Sequence, residues 1–268
     1  MQGEISSIAT ALYGVWITEP ASPGTVLALI RSGEATTRNE LSERLEVARS
    51  TVVQRLGVLS AAGLVRVAGD AQSSGGRPAS IFAFDESAGL VLVGDLGQTG
   101  CHLAVCDLRA RPLAEHTAPL QIEQGPEPVL AWVKERFSEL LAEVGRGWDD
   151  VLGIGLGLPG PVDFETGRPV SPPAMPGWDG VDVRSMFADV TSYPVLVDND
   201  ARIMALGEHR EARPHDQHMI FVKIGSGIGA GLISYDRVLR GARGAAGDIG
   251  HIVVDSEATE VCRCGNIG

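Results

Sequence analysis

A histidine and two cysteines near the end of the sequence have the residue types and the spacing of a metal site. Cys262 and Cys264 are separated by one residue and followed by Gly265, so the backbone can turn and direct both sulfurs at one ion. His251 precedes Cys262 by eleven residues. Zn²⁺ takes four nitrogen or sulfur ligands in a tetrahedron, and this segment supplies three of them. The alternative is a pair of buried thiols beside an ordinary core histidine.

A second group of polar residues follows an apolar segment in the middle of the chain. Residues 194–198 read P-V-L-V-D, and Asn199 and Asp200 come next, before a stretch of helical character. This order predicts a buried strand that leads into a helix, and ligands of open α/β sheets bind at the carboxyl ends of strands. Both side chains are therefore candidates for a binding site. The alternative is an Asx-turn that only caps the helix.

Several glycine-rich segments predict further strands and turns around these residues. Residues 151–163 read V-L-G-I-G-L-G-L-P-G-P-V-D, a continuous apolar run that is typical of a strand buried on both faces. Residues 220–233 predict a strand, a glycine hairpin and a second strand, which on its own is a tight hairpin between buried strands. A strand and hairpin from Leu90 are followed by a polar segment and a helix from about Glu127 to Val144.

The amino-terminal part predicts three short helices. From Thr25 apolar residues recur at helical spacing, and Gly33 is placed to end that helix. Thr37 and Glu40 form a capping box, so a second helix is expected to run through Glu46. A third helix is expected to begin near Arg49 or Ser50. Its predicted buried side consists of Val52, Val53, Leu56 and Leu59, and its predicted exposed side of Arg49, Ser50, Thr51, Gln54 and Arg55.

Two alternating segments after these helices predict the wing of a winged helix-turn-helix. Residues 64–67 and 80–85 read as strands, and the connection between them carries Gly75, Gly76 and Arg77. In such a module the second helix of the pair enters the major groove, where Arg and Gln read purine edges, and Arg77 would lie in the minor groove. The alternatives are a winged helix used for protein contact and an ordinary helical bundle.

Composition and charge fit a small DNA-binding head on an acidic body. The chain has 268 residues and a net charge of −12, yet residues 25–85 hold seven arginines against six acidic residues. No run of about 18 apolar residues and no signal peptide is present, so a cytoplasmic protein without a membrane partner is expected. The four cysteines do not form a disulfide framework, and Cys101 and Cys106 are expected to be buried.

The segments G-D-I-G-H at 247–251 and C-R-C-G-N-I-G at 262–268 resemble the signature of the ROK family of repressors, open reading frames and kinases. That signature is E-x-G-H followed by C-x-C-G-x-x-G-C-x-E, and Asp248 stands where the kinases carry Glu. The resemblance implies a structural zinc held by His251, Cys262, Cys264 and a third cysteine, with Asp248 and His251 also facing a sugar. The third cysteine would follow Gly268, so a truncated chain with an incomplete second lobe is expected.

The same resemblance implies roles for other turns. Pro159 and Gly160 would line the sugar pocket, Asn199 would bind sugar hydroxyls, and Asp200 would occupy the general-base position that is catalytic if the protein is a kinase. Two turns would bind phosphate, with ATP and Mg²⁺ as cofactors only in a kinase; they consist of Asp95, Gly97 and Thr99, and of Gly225, Ser226 and Gly227. Gln98 and Gly100 replace a glycine and a basic residue that the kinases usually carry, so little or no kinase activity is expected.

These observations predict an α/β protein, with a winged helix-turn-helix head followed by an actin-like lobe of the sugar-kinase or ribonuclease H-like type. The predicted organisation is a tail or short helix over 1–24, a DNA-binding domain over 25–86 and a sensor domain over 87–268. The predicted function is a sugar-responsive repressor with operator DNA and a sugar or sugar phosphate as partners, acting as a homodimer or homotetramer. The alternatives are an ATP-dependent sugar kinase and a kinase-like lobe used only for dimerisation.

Overall fold

The computed structural model describes residues 21–70, 79–255, 259–262 and 264–267. The described residues up to Leu90 form one compact unit together with Asp107–Arg111, and Val91–Cys106 and the described residues from Pro112 onward form a second. None of the described helices is both long enough and apolar enough to cross a bilayer. The domain limits at 25–86 and 87–268 stay predictions.

The first unit contains three helices and a two-stranded antiparallel sheet. They are α1 (Pro23–Ser32), α2 (Arg38–Leu45), α3 (Arg49–Ala61), β1 (Val65–Asp70) and β2 (Ser80–Phe84). Gly33 ends α1 in the left-handed region at φ 78°, and the Thr37–Glu40 capping box starts α2, as the sequence predicts. The helices and the sheet share an apolar core whose fully or almost fully buried members include Val26, Leu41, Val52, Leu59 and Phe82.

The first unit departs from the sequence predictions at several positions. Helix α1 begins at Pro23, two residues earlier than predicted, because Ser22 caps it and proline is well tolerated in the first turn. Helix α2 ends at Leu45, and Glu46 adopts a left-handed φ of 54°. Val53 was predicted to be buried, which is wrong: its side chain is 51% exposed because the buried stripe of α3 passes through Val52, Leu56 and Leu59. The predicted wing tip, including Arg77, lies outside the described residues.

The second unit is built on a five-stranded mixed sheet with the strand order β5-β4-β3-β6-β9. The strands are β3 (Leu90–Leu96), β4 (Gly100–Cys106), β5 (Pro112–Pro119), β6 (Val151–Leu158) and β9 (Val195–Asn199). Strands β3, β4 and β5 pair in antiparallel fashion, whereas β6 and β9 are parallel. Cys101 and Cys106 are buried in β4, as predicted.

A helix packs against the antiparallel side of this sheet. Helix α4 spans Pro126–Glu143, close to the predicted limits, and contacts β4 and β5. The segment that was predicted only to be polar forms strand β5, whose residues are half-buried or exposed because it lies at the edge of the sheet. An edge strand of this kind lacks the apolar run by which buried strands are recognised.

A second sheet and a helix complete the unit. Strands β10 (His218–Ile224), β11 (Ile228–Ser234) and β12 (Arg237–Leu239) form an antiparallel sheet, and helix α5 (Asp200–Glu211) packs on it. Gly231 of β11 allows this contact, because a Cβ there would lie only 2.6 Å from the carbonyl oxygen of Ala201. The prediction of buried strands is wrong for β10, whose residues alternate between exposed and half-buried. Short strands β7 (Val162–Asp163) and β8 (Arg168–Pro169) form a separate ribbon.

Candidate functional site

The junction of β9 and α5 places Asn199 and Asp200 at the carboxyl end of a strand and the start of a helix. Asn199 caps α5, since its side-chain oxygen accepts a hydrogen bond of 3.2 Å from the amide of Arg202. Its amide nitrogen donates a 3.1 Å hydrogen bond to the carbonyl oxygen of Gly160. The Asx-cap alternative therefore describes part of the role of Asn199, and the second bond joins the cap to the turn after β6.

Asp200 is almost buried, and an ammonium group faces it. Its Oδ2 accepts a 2.7 Å hydrogen bond from Nζ of Lys223 on β10, and its Oδ1 accepts one of 2.7 Å from the amide of Ala201. The exposed fractions of the two side chains are 9% for Asp200 and 29% for Lys223. This ion pair therefore lies in a largely desolvated setting, where a charge without a partner is costly.

Asp95, on β3, is a second carboxyl group near this pair. Its Oδ1 is buried and has no hydrogen-bond partner among the described residues. Burial raises the pKa of the Asp95 carboxyl; the ammonium of Lys223 partly offsets this rise, and the carboxylate of Asp200 adds to it. A Cβ placed on Gly157 would lie 3.5 Å from both Oδ1 of Asp95 and Cα of Asp200, so the two aspartates flank the same point.

A buried charge network holds the loop after β12 against the strand that precedes α5. Asp198, 5% exposed, accepts a 2.7 Å hydrogen bond from Nη1 of Arg202 and one of 2.9 Å from Nε of Arg240. Arg202, 2% exposed, also donates to the carbonyl oxygens of Gly244 and Ala246. This network therefore holds Gly244 and Ala246, which precede Asp248 and His251 in the chain.

The two predicted phosphate turns are tight hairpins. The amide of Gly97 donates a 2.8 Å hydrogen bond to the carbonyl oxygen of Gly100. The amide of Gly225 donates one of 2.9 Å to the carbonyl oxygen of Gly227. Both amides are therefore engaged within the chain. A Cβ placed on Gly227 would lie 3.8 Å from Nε2 of Gln98, so the two turns approach one another.

A cleft of about 380 Å³ collects most of the predicted site residues. All six predicted sugar-binding residues line it, namely Pro159, Gly160, Asn199, Asp200, Asp248 and His251. Of the predicted phosphate-binding residues, it is lined by Gly97, Ser226 and Gly227 but not by Asp95, Thr99 or Gly225. The exposed side chain of Thr99 is outside this lining, and its carbonyl oxygen accepts the amide of Leu120.

The three predicted metal ligands converge at one edge of this cleft. One ligand atom each of His251, Cys262 and Cys264 lies within 4.8 Å of the others, and Nδ1 of His251 is 3.2 Å from Sγ of Cys262. Hydrogen bonds from the backbone of Cys264 and from His251 lower the pKa of the Cys262 thiol to about 7. One imidazole and two thiol groups at these separations fit three corners of a tetrahedral Zn²⁺ site. His251 Nε2 lies 4.0 Å from Oδ1 of Asp248, on the cleft side.

The first unit exposes most of the predicted DNA-binding residues at the start of α3. Arg49, Ser50 and Gln54 are exposed, and Thr51 is half-buried. Arg55 is half-buried, and its Nε donates a 3.0 Å hydrogen bond to the carbonyl oxygen of Ala21. The prediction that Arg55 faces outward holds only in part, because Ala21, which precedes α1, engages part of its guanidinium group.

Four charged residues that were not predicted from the sequence organise the cleft: Asp198, Arg202, Lys223 and Arg240. Asp198 and Arg202 are spaced by four residues across the start of α5, and a charged pair at that spacing at the end of an apolar strand was a usable signal. Lys223 alone interrupts the apolar run I-F-V-K-I, which is a weaker signal. Arg240 has no local signal, because its partner lies 42 residues away.

Comparison with known proteins adds independent information. The ROK family matches residues 92–268, and a helix-turn-helix domain matches residues 25–68. The xylose repressor of Caldicellulosiruptor bescii is 29% identical over 246 residues, which cover 91% of this chain and 61% of the relative. The chain thus spans about three fifths of the length of the curated repressors it matches.

Two solved structures show the same fold. A ROK family transcriptional regulator, described as a homologue of the E. coli MLC protein, has 27% identity and a TM-score of 0.75, covering 92% of this chain and 62% of that one. A ROK family glucokinase from Streptomyces griseus, solved with glucose and AMPPNP, has 27% identity and a TM-score of 0.58 and covers 67% of this chain and 55% of that one. The predicted fold class is confirmed: a helix-turn-helix head precedes an actin-like α/β lobe, and the chain belongs to the ROK family.

Proposed function

We propose that this chain is the DNA-binding and sugar-sensing part of a cytoplasmic transcriptional repressor. The observation that carries the proposal is the extent of the similarity. The C. bescii xylose repressor and the MLC-like regulator cover more than nine tenths of the chain, including the helix-turn-helix head, whereas the glucokinase covers 67% of it. A kinase has no use for such a head, while a regulator needs it.

The sugar site that supports this proposal is the cleft of the second unit. Asn199, Asp200 and Asp248 supply amide and carboxylate groups, His251 supplies an imidazole, and Pro159 and Gly160 supply a wall. Binding sites for small polar molecules typically combine such a wall with a few convergent polar groups. A sugar or a sugar phosphate is the proposed effector.

A structural zinc ion is proposed at the edge of this cleft, with His251, Cys262 and Cys264 as ligands. A zinc ion would fix the ring of His251 and the backbone between Asp248 and Cys262. A ligand histidine is oriented by the hydrogen bond that its second ring nitrogen makes. In His251 that nitrogen, Nε2, faces Asp248 and the cleft. Loss of the metal is therefore expected to lower sugar affinity as well.

Operator DNA is the proposed partner of the first unit. The exposed start of α3 places Arg49, Ser50 and Gln54 where a recognition helix presents its side chains to the major groove. Thr51, Arg55 and Arg77 are proposed to contact the phosphate backbone or the minor groove. Helix-turn-helix proteins read paired half-sites as dimers, so a homodimer or homotetramer is proposed.

Selection of DNA from a randomised duplex library tests this function. The chain is expected to enrich a sequence containing two related half-sites, and Arg49→Ala with Gln54→Ala is expected to abolish the enrichment. The control is Arg136→Ala on α4, in the second unit. Recovery of no sequence by the parent, or equal enrichment by the double variant, would contradict DNA recognition by α3.

A sugar kinase is the second candidate, favoured by the position of Asp200 and the glycine turns at the cleft. Kinase activity is expected to be absent or slight, because the Gly97 and Gly225 amides are engaged within the chain and Gln98 and Gly100 offer no cation for a transferring phosphoryl group. Turnover of ATP with any neutral hexose or pentose at about 1 s⁻¹ or more, the range of enzymes, would establish the kinase instead.

A further inference from the structure

Lys223 introduces a positive charge at the position where a sugar kinase needs a base. It lies on β10, lines the cleft, and its ammonium nitrogen is 2.7 Å from Oδ2 of Asp200. The other oxygen of Asp200 accepts the amide of Ala201. Both oxygens of the proposed base are therefore engaged by donors within the chain.

This arrangement opposes the proton transfer that phosphorylation of a sugar requires. In that reaction the O–H bond of a sugar hydroxyl breaks, its proton passes to the base, and the oxygen attacks the terminal phosphorus of ATP as the bond to ADP breaks. A proton on Asp200 would remove the charge that Lys223 faces and leave an ammonium group without its counter-ion in a poorly solvated site. An adjacent cation favours the ionised carboxylate.

The other charged groups around Asp200 do not replace Lys223 in this role. Asp95, on β3, is a carboxyl group and supplies no positive charge. On the same helix Arg202 is occupied by Asp198, which Arg240 also contacts. Asp248 and His251 line the same cleft and face one another across 4.0 Å. Lys223 is thus the cation that contacts Asp200 directly among the described residues.

We propose that Lys223 is a positioning residue that keeps Asp200 ionised and in place as a hydrogen-bond acceptor for a sugar hydroxyl, so that the cleft holds a sugar without activating it. The inference rests on the proposed sugar-sensing function. The pairing with Lys223 also explains why a base-like residue is present in a cleft without group transfer. The carboxylate of Asp200 recognises the sugar, and the ammonium of Lys223 keeps that carboxylate charged.

The protonation of Asp200 tests the inference directly and without a ligand. The chain is labelled with ¹³C at the aspartate carboxyl groups and titrated by NMR, and the Asp200 signal is identified by its loss in Asp200→Asn. In Lys223→Met, Asp200 is expected to take up its proton at a higher pH than in the parent, because the variant lacks the cation of the 2.7 Å ion pair. Lys223→Arg, which keeps the charge, is expected to titrate like the parent. The matched control is Lys134→Met, which removes a Lys–Asp pair of 2.9 Å elsewhere in the unit.

An unchanged Asp200 titration in Lys223→Met would overturn the inference. If Lys223→Met does not fold, the Lys223→Arg variant is used instead. Because it retains the positive charge, a shift of its Asp200 titration relative to the parent would also contradict the proposed role. Calorimetry with a sugar panel is the second readout: Lys223→Met is expected to bind the parent's sugar more weakly, and the loss is expected to grow as the pH falls. If no sugar binds the parent, the proposed function fails, while the NMR titration still decides the role of Lys223.

Discussion

Replacing Asp198 by asparagine removes the negative charge at the centre of the buried network in the second unit. Asp198 and Arg202 are 5% and 2% exposed, and their side chains are joined over 2.7 Å. Removing one partner of a buried ion pair typically costs 3–5 kcal/mol, because the remaining charge is left uncompensated. Arg202 would keep carbonyl acceptors at Gly244 and Ala246. We therefore expect a loss at the lower end, about 3 kcal/mol.

Urea unfolding followed by tryptophan fluorescence measures this loss. Three of the four tryptophans, Trp132, Trp148 and Trp178, lie in the second unit, and Trp178 is fully buried, so most of the signal reports the unit that carries Asp198. With a urea m value of about 2 kcal/mol/M, the midpoint should fall by roughly 1.5 M. The control is Asp189→Asn, which breaks the 2.9 Å pair with Lys134; because Asp189 is 63% exposed, a much smaller loss is expected.

A small effect of Asp198→Asn would refute this reasoning. If its midpoint falls no further than that of Asp189→Asn, the buried network does not hold the loop after β12. An effect on sugar binding is also expected, because the network positions the residues that precede Asp248 and His251. Sugar affinity should fall in Asp198→Asn even under conditions in which the variant remains folded.

Three further predictions concern the other parts of the chain. Because burial raises the pKa of Asp95, the folded chain holds this proton more tightly than the unfolded chain, and stability is lost as the pH rises through the folded-state pKa. Asp95→Asn should therefore be more stable than the parent at pH 7, and in thermal melts the difference should vanish in acid, where the Asp95 carboxyl is protonated in both the folded and the unfolded chain; a variant less stable at pH 7 would contradict this. Arg49→Ala should weaken binding to the selected DNA by about 1–3 kcal/mol and reduce its salt dependence in fluorescence anisotropy titrations, whereas an unchanged salt slope would place Arg49 outside the interface. Cys264→Ser should lose zinc in elemental analysis while Cys106→Ser, at a buried cysteine of β4, keeps the parent's content; equal zinc in both variants would exclude the proposed ligand set.

Local chemistry made much of the first unit predictable from the sequence. The left-handed glycine at Gly33 and the Thr37–Glu40 box act within a few residues, so the helix limits follow from the chain itself. Arg55 was not predictable in the same way, because its hydrogen bond to Ala21 joins residues 34 positions apart. The same limitation applies to Val53, whose exposure depends on how α3 is rotated against α1 and α2.

In the second unit, the segments that carry the candidate site were predictable, but the groups that organise it were not. The spacing of His251, Cys262 and Cys264 indicated a cluster, and the structure brings the three side chains together. The pairing of Lys223 with Asp200 arises only when β10 packs on α5, so neither residue's neighbours in sequence disclose it. Strand β5 was missed because an edge strand with half-buried and exposed residues does not show the apolar run on which strand prediction depends.

We propose that a sugar in the cleft changes how the head binds DNA. The most direct measurement is fluorescence anisotropy of the DNA selected by this chain, titrated with protein in the presence of each member of a panel of neutral and phosphorylated pentoses and hexoses. We expect one sugar to change the DNA affinity by about tenfold or more, the range typical of coupling between two sites. Asp248→Asn, altered only in the cleft, should bind the DNA like the parent and lose this response. A DNA affinity that no sugar in the panel changes, or an equal response in Asp248→Asn, would contradict the account.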